Sequence, residues 1–243
     1  MSENKIEKQL LKLRPKATGP LLFTPVLLSD SKGNHIRKHV QFGIDFDIQW
    51  WCKGGSQIND SFDWLKRNLS HKLKRHNKIA LYVWLGTCDL TVENKQYTSL
   101  RADDFATVDY IERKLNEIVS FVRRFSGVKL TILEVPVYSI VEWNRSKGHK
   151  DPNSLSDQDV KLQSQVQELN NRIRNINDHL KSRSPRFTLD ILRSKRNNKG
   201  KRKKSVFNFK LYLDGIHPGA LLGKLWFRQI SSADDQRLRV TLS

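Results

Sequence analysis

Short apolar runs alternate with amphipathic stretches along most of this chain, and that alternation is the strongest constraint on its fold. Residues 23–28 form a compact apolar run leading into Ser29-Asp30-Ser31, and residues 79–85 form another, closed by Gly86. Compact runs of this length suit strands buried on both faces. Phe42, Ile44, Phe46, Ile48 and Trp50 alternate with Gly43, Asp45, Asp47 and Gln49 until Gly54-Gly55, the period of a half-buried strand. Residues 128–137 read as a strand rich in branched side chains, and residues 187–192 as a last strand. The stretches between them are helical. Phe62, Leu65, Leu69 and Leu73 share one face behind a cap at Asp60 or Ser61, and Val108, Ile111, Leu115, Ile118, Val122 and Phe125 step by three and four. A long helix follows Ser156 with Leu162, Val166, Leu169, Ile173, Ile176 and Leu180 on one stripe, and residues 220–230 form a final apolar helix.

Strands separated by helices build βαβ units with right-handed crossovers. The expected fold class is therefore α/β: a three-layer α/β/α sandwich, flavodoxin-like, around a mostly parallel five-stranded sheet. A chain of 243 residues that is 37% hydrophobic can bury one sizeable core. Residues 20–231 are expected to form that domain, with 1–19 as a basic N-terminal tail, 144–155 as a polar loop and 232–243 as a C-terminal tail.

In open α/β sheets, ligands gather outside the C-terminal ends of the strands. Four turns are candidates for that rim: 29–31, 54–55, 86–89 and 214–217. Within Leu213-Asp214-Gly215-Ile216-His217-Pro218-Gly219, an Asp three residues before a His can hold the imidazole in one tautomer. Ser31, at the end of an apolar strand, can supply a hydroxyl for that imidazole to deprotonate. Each piece also has a plain structural reading. Ser31 is an ordinary turn hydroxyl in Asp30-Ser31-Lys32-Gly33, Asp214 and His217 are a capping pair, Cys88 is a small packing residue, and Gly55 and Gly86 serve tight turns.

Taken together, order and spacing resemble the SGNH (GDSL-type) hydrolase family over roughly residues 22–230. Ser29-Asp30-Ser31 stands where the family has Gly-Asp-Ser, Gly55 matches the glycine of the second block, Gly86-Thr87-Cys88-Asp89 stands for Gly-x-Asn-Asp, and Asp214 with His217 matches Asp-x-x-His in full. The resemblance implies a serine esterase with Ser31 as nucleophile, His217 as base and Asp214 as its orienting carboxylate. It also implies an oxyanion hole from the backbone N–H groups of Ser31 and Gly55 and a third donor at position 88. At that position the family's Asn is replaced by Cys88, whose thiol is a weak donor. The implied substrate is a small acyl ester, and no cofactor is implied.

The formal net charge is +19, an excess that attracts phosphate-bearing polymers. Eight of the twelve residues at 193–204 are Lys or Arg: Arg193, Lys195, Arg196, Lys199, Lys201, Arg202, Lys203 and Lys204. This run reads as a nucleic-acid contact, as a nuclear-localisation signal or as a solvated loop, and the basic helix around Lys66, Arg67, Lys72, Lys74 and Arg75 is a second nucleic-acid candidate. The alternative function is thus a hydrolase fold whose site has decayed and which binds RNA or DNA, with a retroelement origin as an analogy. His35 and His39 stand four apart with no accompanying ligand set, so they read as solvated histidines and no metal site is expected. No run approaches the length of a membrane span, and residues 1–5 lead into mixed charge rather than a signal segment. Cys52 and Cys88 are too few for a disulfide framework, so an intracellular location, cytoplasmic or nuclear, is expected. Nothing in the pattern sets an oligomeric state.

Overall fold

In this computed structural model, residues 1–12, 21–40, 48–194 and 205–235 are described. In chain order they form α1 (Glu3–Leu10), β1 (Thr24–Ser29), α2 (Ser31–Arg37), β2 (Gln49–Cys52), α3 (Ile58–His76), β3 (Ile79–Trp84) and α4 (Thr87–Leu90). The hairpin β4 (Thr91–Asn94) and β5 (Tyr97–Leu100), α5 (Ala106–Val122), β6 (Val128–Ile132), α6 (Ile140–Ser146) and α7 (Ser156–His179) follow. The last elements are α8 (Phe187–Ile191), β7 (Leu192–Ser194), β8 (Ser205–Phe207) and α9 (Ala220–Asp235).

The two compact apolar runs become the centre of a parallel sheet. Its order is β2-β1-β3-β6, with every pair parallel. All six residues of β3 are buried, because it has a neighbour strand on each side and helices above and below. The chain steps outward from β1 to β2 and then back to β3 and β6. Right-handed crossovers on such a path place α2 on one face and α3 and α5 on the other. α7 packs against α5, and α9 packs against α2, which completes the three layers. β1 and β3 end level, with Ser29 beside Trp84, so the turns that follow them share one rim.

Four strands, not five, make up the parallel sheet among the described residues. Side-chain amides of α7 occupy the edge of β6 instead. Asn177 accepts from the Ile132 N–H at 3.0 Å and donates to its carbonyl at 2.7 Å. One heptad earlier, Asn170 repeats the pair with Val135, at 2.8 Å for both bonds. Each amide presents one donor and one acceptor, as a neighbouring strand would. Residues 187–192, expected as a strand, begin as α8. Phe187 and Ile191 are buried while Leu189 between them is 51% exposed, a spacing of four that a strand cannot produce. Phe187 packs on Trp84 and Trp226, and Leu192–Ser194 then pairs with β8 in a separate antiparallel ribbon.

Other boundaries also shift. Residues 3–10, expected within the tail, form α1, whose Ile6 is wholly buried. α1 packs on α9, and Arg228 donates to the carbonyls of Gln9 and Leu10. The polar segment 144–155 includes the end of α6, where Asn144 is buried and pairs with both backbone groups of Thr98. Much of the alternating segment 42–51 lies outside the described residues, and β2 is its last part. No helix among the described residues is long and apolar enough to cross a membrane.

Replacing Asn177 with Leu leaves the Ile132 N–H and carbonyl buried without partners. The expected loss is about 2–4 kcal/mol of unfolding free energy, measured by urea denaturation. A loss below about 1 kcal/mol would show that the amide edge is dispensable.

Candidate active site

The site begins where β1 turns into α2. Asp30 caps the helix, its Oδ1 accepting from the Lys32 N–H at 2.9 Å, and Ser31 is the first helical residue. Gly33 is required by close packing: a Cβ there would lie 2.4 Å from Cys52 Sγ and 2.8 Å from Ser29 Cβ. The spacing of Asp30, Ser31 and Gly33 is therefore fixed by the fit of α2 against β1 and β2.

The second piece arrives from the far end of the chain. Asp214 Oδ1 accepts from the N–H groups of Ile216 and His217 at 3.0 and 2.8 Å, while Oδ2 meets His217 Nδ1 at 2.7 Å. One carboxylate thus shapes the turn and orients the ring. Gly215 adopts φ +91°, and a Cβ there would lie 2.6 Å from Glu142 Cβ, so the turn sits flush against α6. Its carbonyl accepts from the Ser139 N–H at 3.0 Å. The other ring nitrogen, His217 Nε2, lies 2.8 Å from Ser31 Oγ, 186 residues away in sequence. With Nδ1–H donated to Asp214, Nε2 is left as the acceptor for the serine hydroxyl. Burial acts to raise the Asp214 carboxyl, but the hydrogen bonds from the His217 ring and backbone outweigh it and hold it below the ordinary range.

His35 is not the freely solvated side chain expected from its helix face. Its ring stacks on that of His217, with centroids 4.3 Å apart and planes 18° from parallel. Burial, and then the nearby His217, push the His35 pKa down, which favours the neutral ring. Trp143 of α6 also flanks His217, at 5.8 Å. Neither neighbour was legible in the sequence, since each side chain comes from an element whose place is set only by the fold.

The turn 53–55 lies beside the serine. The Lys53 N–H donates to the Ser29 carbonyl at 3.0 Å, and Gly55, at φ +69°, lines the same cleft as Ser31 and His217. Cys88 also lines it, but its thiol points at Asp30, 3.9 Å from Oδ2. Burial, reinforced by the Asp30 charge, pushes the Cys88 thiol up to about 12. It therefore stays protonated near neutral pH, neither a nucleophile nor a strong donor. The cleft encloses about 510 Å³ and is lined by polar and apolar groups, among them Thr91, Val92 and Trp143.

Two further charged residues tie these turns together. Lys32 is 1% exposed, with its ammonium 2.5 Å from both Asp30 Oδ2 and Thr87 Oγ1. Asp89 accepts from the Ile58 N–H with both oxygens, at 3.2 and 3.1 Å, and so anchors the start of α3. Burial pushes its carboxyl up to about 6. The role of Lys32 left no trace in the sequence, because a Lys in a predicted turn reads as solvated. Of the basic run, Arg193 is exposed on β7. Lys195, Arg196, Lys199, Lys201, Arg202, Lys203 and Lys204 lie outside the described residues. Among the described residues no cluster of His, Cys, Asp and Glu is arranged to hold a metal ion.

No family model matches the sequence, and no curated protein matches it. Solved structures do match. A GDSL-like lipase from Bacteroides thetaiotaomicron superposes with a TM-score of 0.62 at 12% identity, covering 97% of this chain and 98% of the lipase. An inferred acylhydrolase from Bacteroides fragilis gives 0.63 at 12% identity, covering 97% of each chain. The OSK domain of Drosophila Oskar gives 0.51 at 14% identity, covering 93% of this chain and 94% of that domain. The fold is that of the SGNH hydrolases. At this distance in sequence, the chain is a divergent example of it.

Lys32→Met leaves Asp30 buried without a counter-charge, and a loss of about 3–5 kcal/mol in unfolding free energy is expected. Adding Asp30→Asn should recover a large part of it. Equal losses in the single and double variants would show that the two charges do not depend on each other.

Proposed function

We propose that this chain is a serine hydrolase that cleaves short acyl esters, with Ser31 as nucleophile, His217 as general base and acid, and Asp214 as the carboxylate that fixes the imidazole tautomer. The observation that carries the reading is the hydrogen-bond chain from Ser31 Oγ to His217 Nε2, at 2.8 Å, and from His217 Nδ1 to Asp214 Oδ2, at 2.7 Å. Ser31 Oγ attacks the ester carbonyl while its proton passes to His217 Nε2. Asp214 stabilises the imidazolium that forms. The tetrahedral oxyanion is met by the backbone N–H groups of Ser31 and Gly55. Collapse expels the alcohol, which takes the proton back from His217. A water deprotonated by His217 then releases the acid from the acyl-enzyme. The lipase and acylhydrolase neighbours and a cleft of about 510 Å³ are in keeping with a small ester.

Cys88 in place of a side-chain amide leaves a two-donor oxyanion hole. The loss of one such donor costs on the order of 10²–10³ in rate, so this enzyme is expected to be slow. A second reading, a silenced hydrolase fold that binds a polyanion such as nucleic acid, rests on the same cysteine and on the +19 charge. The formed hydrogen-bond chain favours the first.

Ser31→Ala is expected to abolish hydrolysis of p-nitrophenyl acetate above the buffer rate, with the fold retained. Unchanged turnover in that variant would exclude Ser31 as nucleophile. Cys88→Asn is expected to raise kcat by about tenfold or more, with a smaller effect on KM. A fall or no change would show that position 88 does not face the developing oxyanion.

A further inference from the structure

We infer that the opposite rim of the sheet, at the N-terminal ends of β1, β3 and β6, is a binding surface for single-stranded nucleic acid. Helices on both faces run antiparallel to the strands of such a sheet, so α3, α5 and α7 all end at this rim. Their last turns and the segments after them are rich in cations. The end of α3 supplies Lys74, Arg75 and Lys78, all exposed. The connection from α5 to β6 supplies Arg123 and Arg124, and the start of β6 supplies Lys129, all exposed. Lys181 and Arg183 follow α7. Asp178 is the one carboxylate in these segments, 70–78, 121–131 and 176–186. Among the described residues, Lys74, Arg75, Lys78, Arg123 and Arg124 have no carboxylate in ion-pair reach.

These cations form one surface. Strand register sets Thr24 beside Ile79 and Ile79 beside Val128, which brings Phe23, Lys78 and Gly127 together. The half-buried Phe23 ring has Lys129 Nζ 4.3 Å and Lys78 Nζ 5.8 Å from its centroid. A concavity of about 500 Å³ lies between Lys74, Asn77, Lys78 and Phe125. A second, of about 440 Å³, includes Arg123, Lys129 and Lys181. His76 is pushed toward its neutral form by burial and then by the charges of Arg75 and Lys72, in keeping with a positive local field.

Spaced cations around half-buried aromatic rings are what a single strand needs: phosphates meet the cations and unstacked bases meet the rings. A duplex keeps its bases stacked inside and gains nothing from Phe23 or Phe125. β1 and β3 are six residues long, so about 20 Å of strand, at roughly 3.3 Å per residue, separates this surface from Ser31. A bound strand therefore leaves the cleft open, and binding at this rim does not depend on the esterase reading.

The test is fluorescence anisotropy with a labelled oligouridylate of about 20 nucleotides, titrated against the full chain at several salt concentrations. Lys78→Ala/Arg123→Ala/Lys129→Ala is expected to weaken binding on the order of 10- to 100-fold and to lower the log–log salt slope by about 2, near 0.7 for each phosphate that is no longer neutralised. Lys74→Ala/Arg75→Ala/Arg124→Ala, a second set of exposed side chains, should act in the same direction. Phe23→Leu should weaken binding with the salt slope unchanged, since it removes a ring and no charge. Hydrolysis of p-nitrophenyl acetate, followed in parallel, should be the same in all three variants as in the parent, whether that rate is high or nil. The inference is overturned if the parent chain does not bind the oligomer or binds a duplex of equal length more tightly. It is also overturned if the rim variants bind like the parent while Lys201→Ala/Lys203→Ala/Lys204→Ala abolishes binding.

Discussion

An ammonium group cannot stay charged in a protein interior without partners, and Lys32 meets that demand by bridging Asp30 and Thr87. The consequence is geometric. Asp30 caps the helix that carries Ser31, while Thr87 opens the turn that carries Cys88, so one buried cation joins two of the loops at the rim that holds the candidate site. Asp89 extends the linkage by accepting from Ile58, which fixes the chain just after Gly55. Tyr138, wholly buried, donates to the Thr87 carbonyl at 2.9 Å and ties in the segment before α6. The rim is thus held by polar bonds between loops, over a sheet held by apolar packing.

The pair Asp214 and His217 depends on that frame in a different way. Asp214 builds its own turn with Oδ1 and orients the imidazole with Oδ2, so the local geometry needs only a few residues. What aims Nε2 at Ser31 is the seat of the turn against α6, which Gly215 makes possible, and the rings of His35 and Trp143 around the imidazole. Cys88 is the point at which the arrangement departs from a three-donor oxyanion hole. Its thiol turns toward Asp30, so on the hydrolase reading proposed above the hole keeps two donors while the turn itself is undisturbed.

The central strands were legible because Val26-Leu27-Leu28 and residues 79–85 are compact apolar runs, each leading into a turn, a pattern few other environments tolerate. Ser31, Asp214 and His217 could be named as candidates because the order and spacing of their turns resemble the blocks of a known family, and the fold brings the three side chains together. The edge of the sheet was not legible. Asn170 and Asn177 stand in for a strand through side chains, and no periodicity reports that. The short run 187–192 carries too few residues to separate a spacing of two from one of four, and the exposure of Leu189 resolves it only in three dimensions. Lys32 was invisible for a related reason: its partner Thr87 lies 55 residues away. α6 was missed because its end, from Asn144, fell in the segment 144–155 read as a polar loop, while the hairpin strand β5 that pairs with Asn144 is placed only by the fold.

The two rims divide the molecule. One gathers a hydroxyl, an imidazole and a carboxylate; the other gathers cations and aromatic rings. The hydrolase reading of the first requires Ser31 to be more nucleophilic than the other serines, a property that the hydrogen bond to His217 would confer. Reaction with a fluorophosphonate probe, followed by peptide mass spectrometry, measures this directly. Modification confined to Ser31 and lost in His217→Ala is the result the account predicts. Labelling spread over several serines, or retained at Ser31 without the histidine, would contradict it.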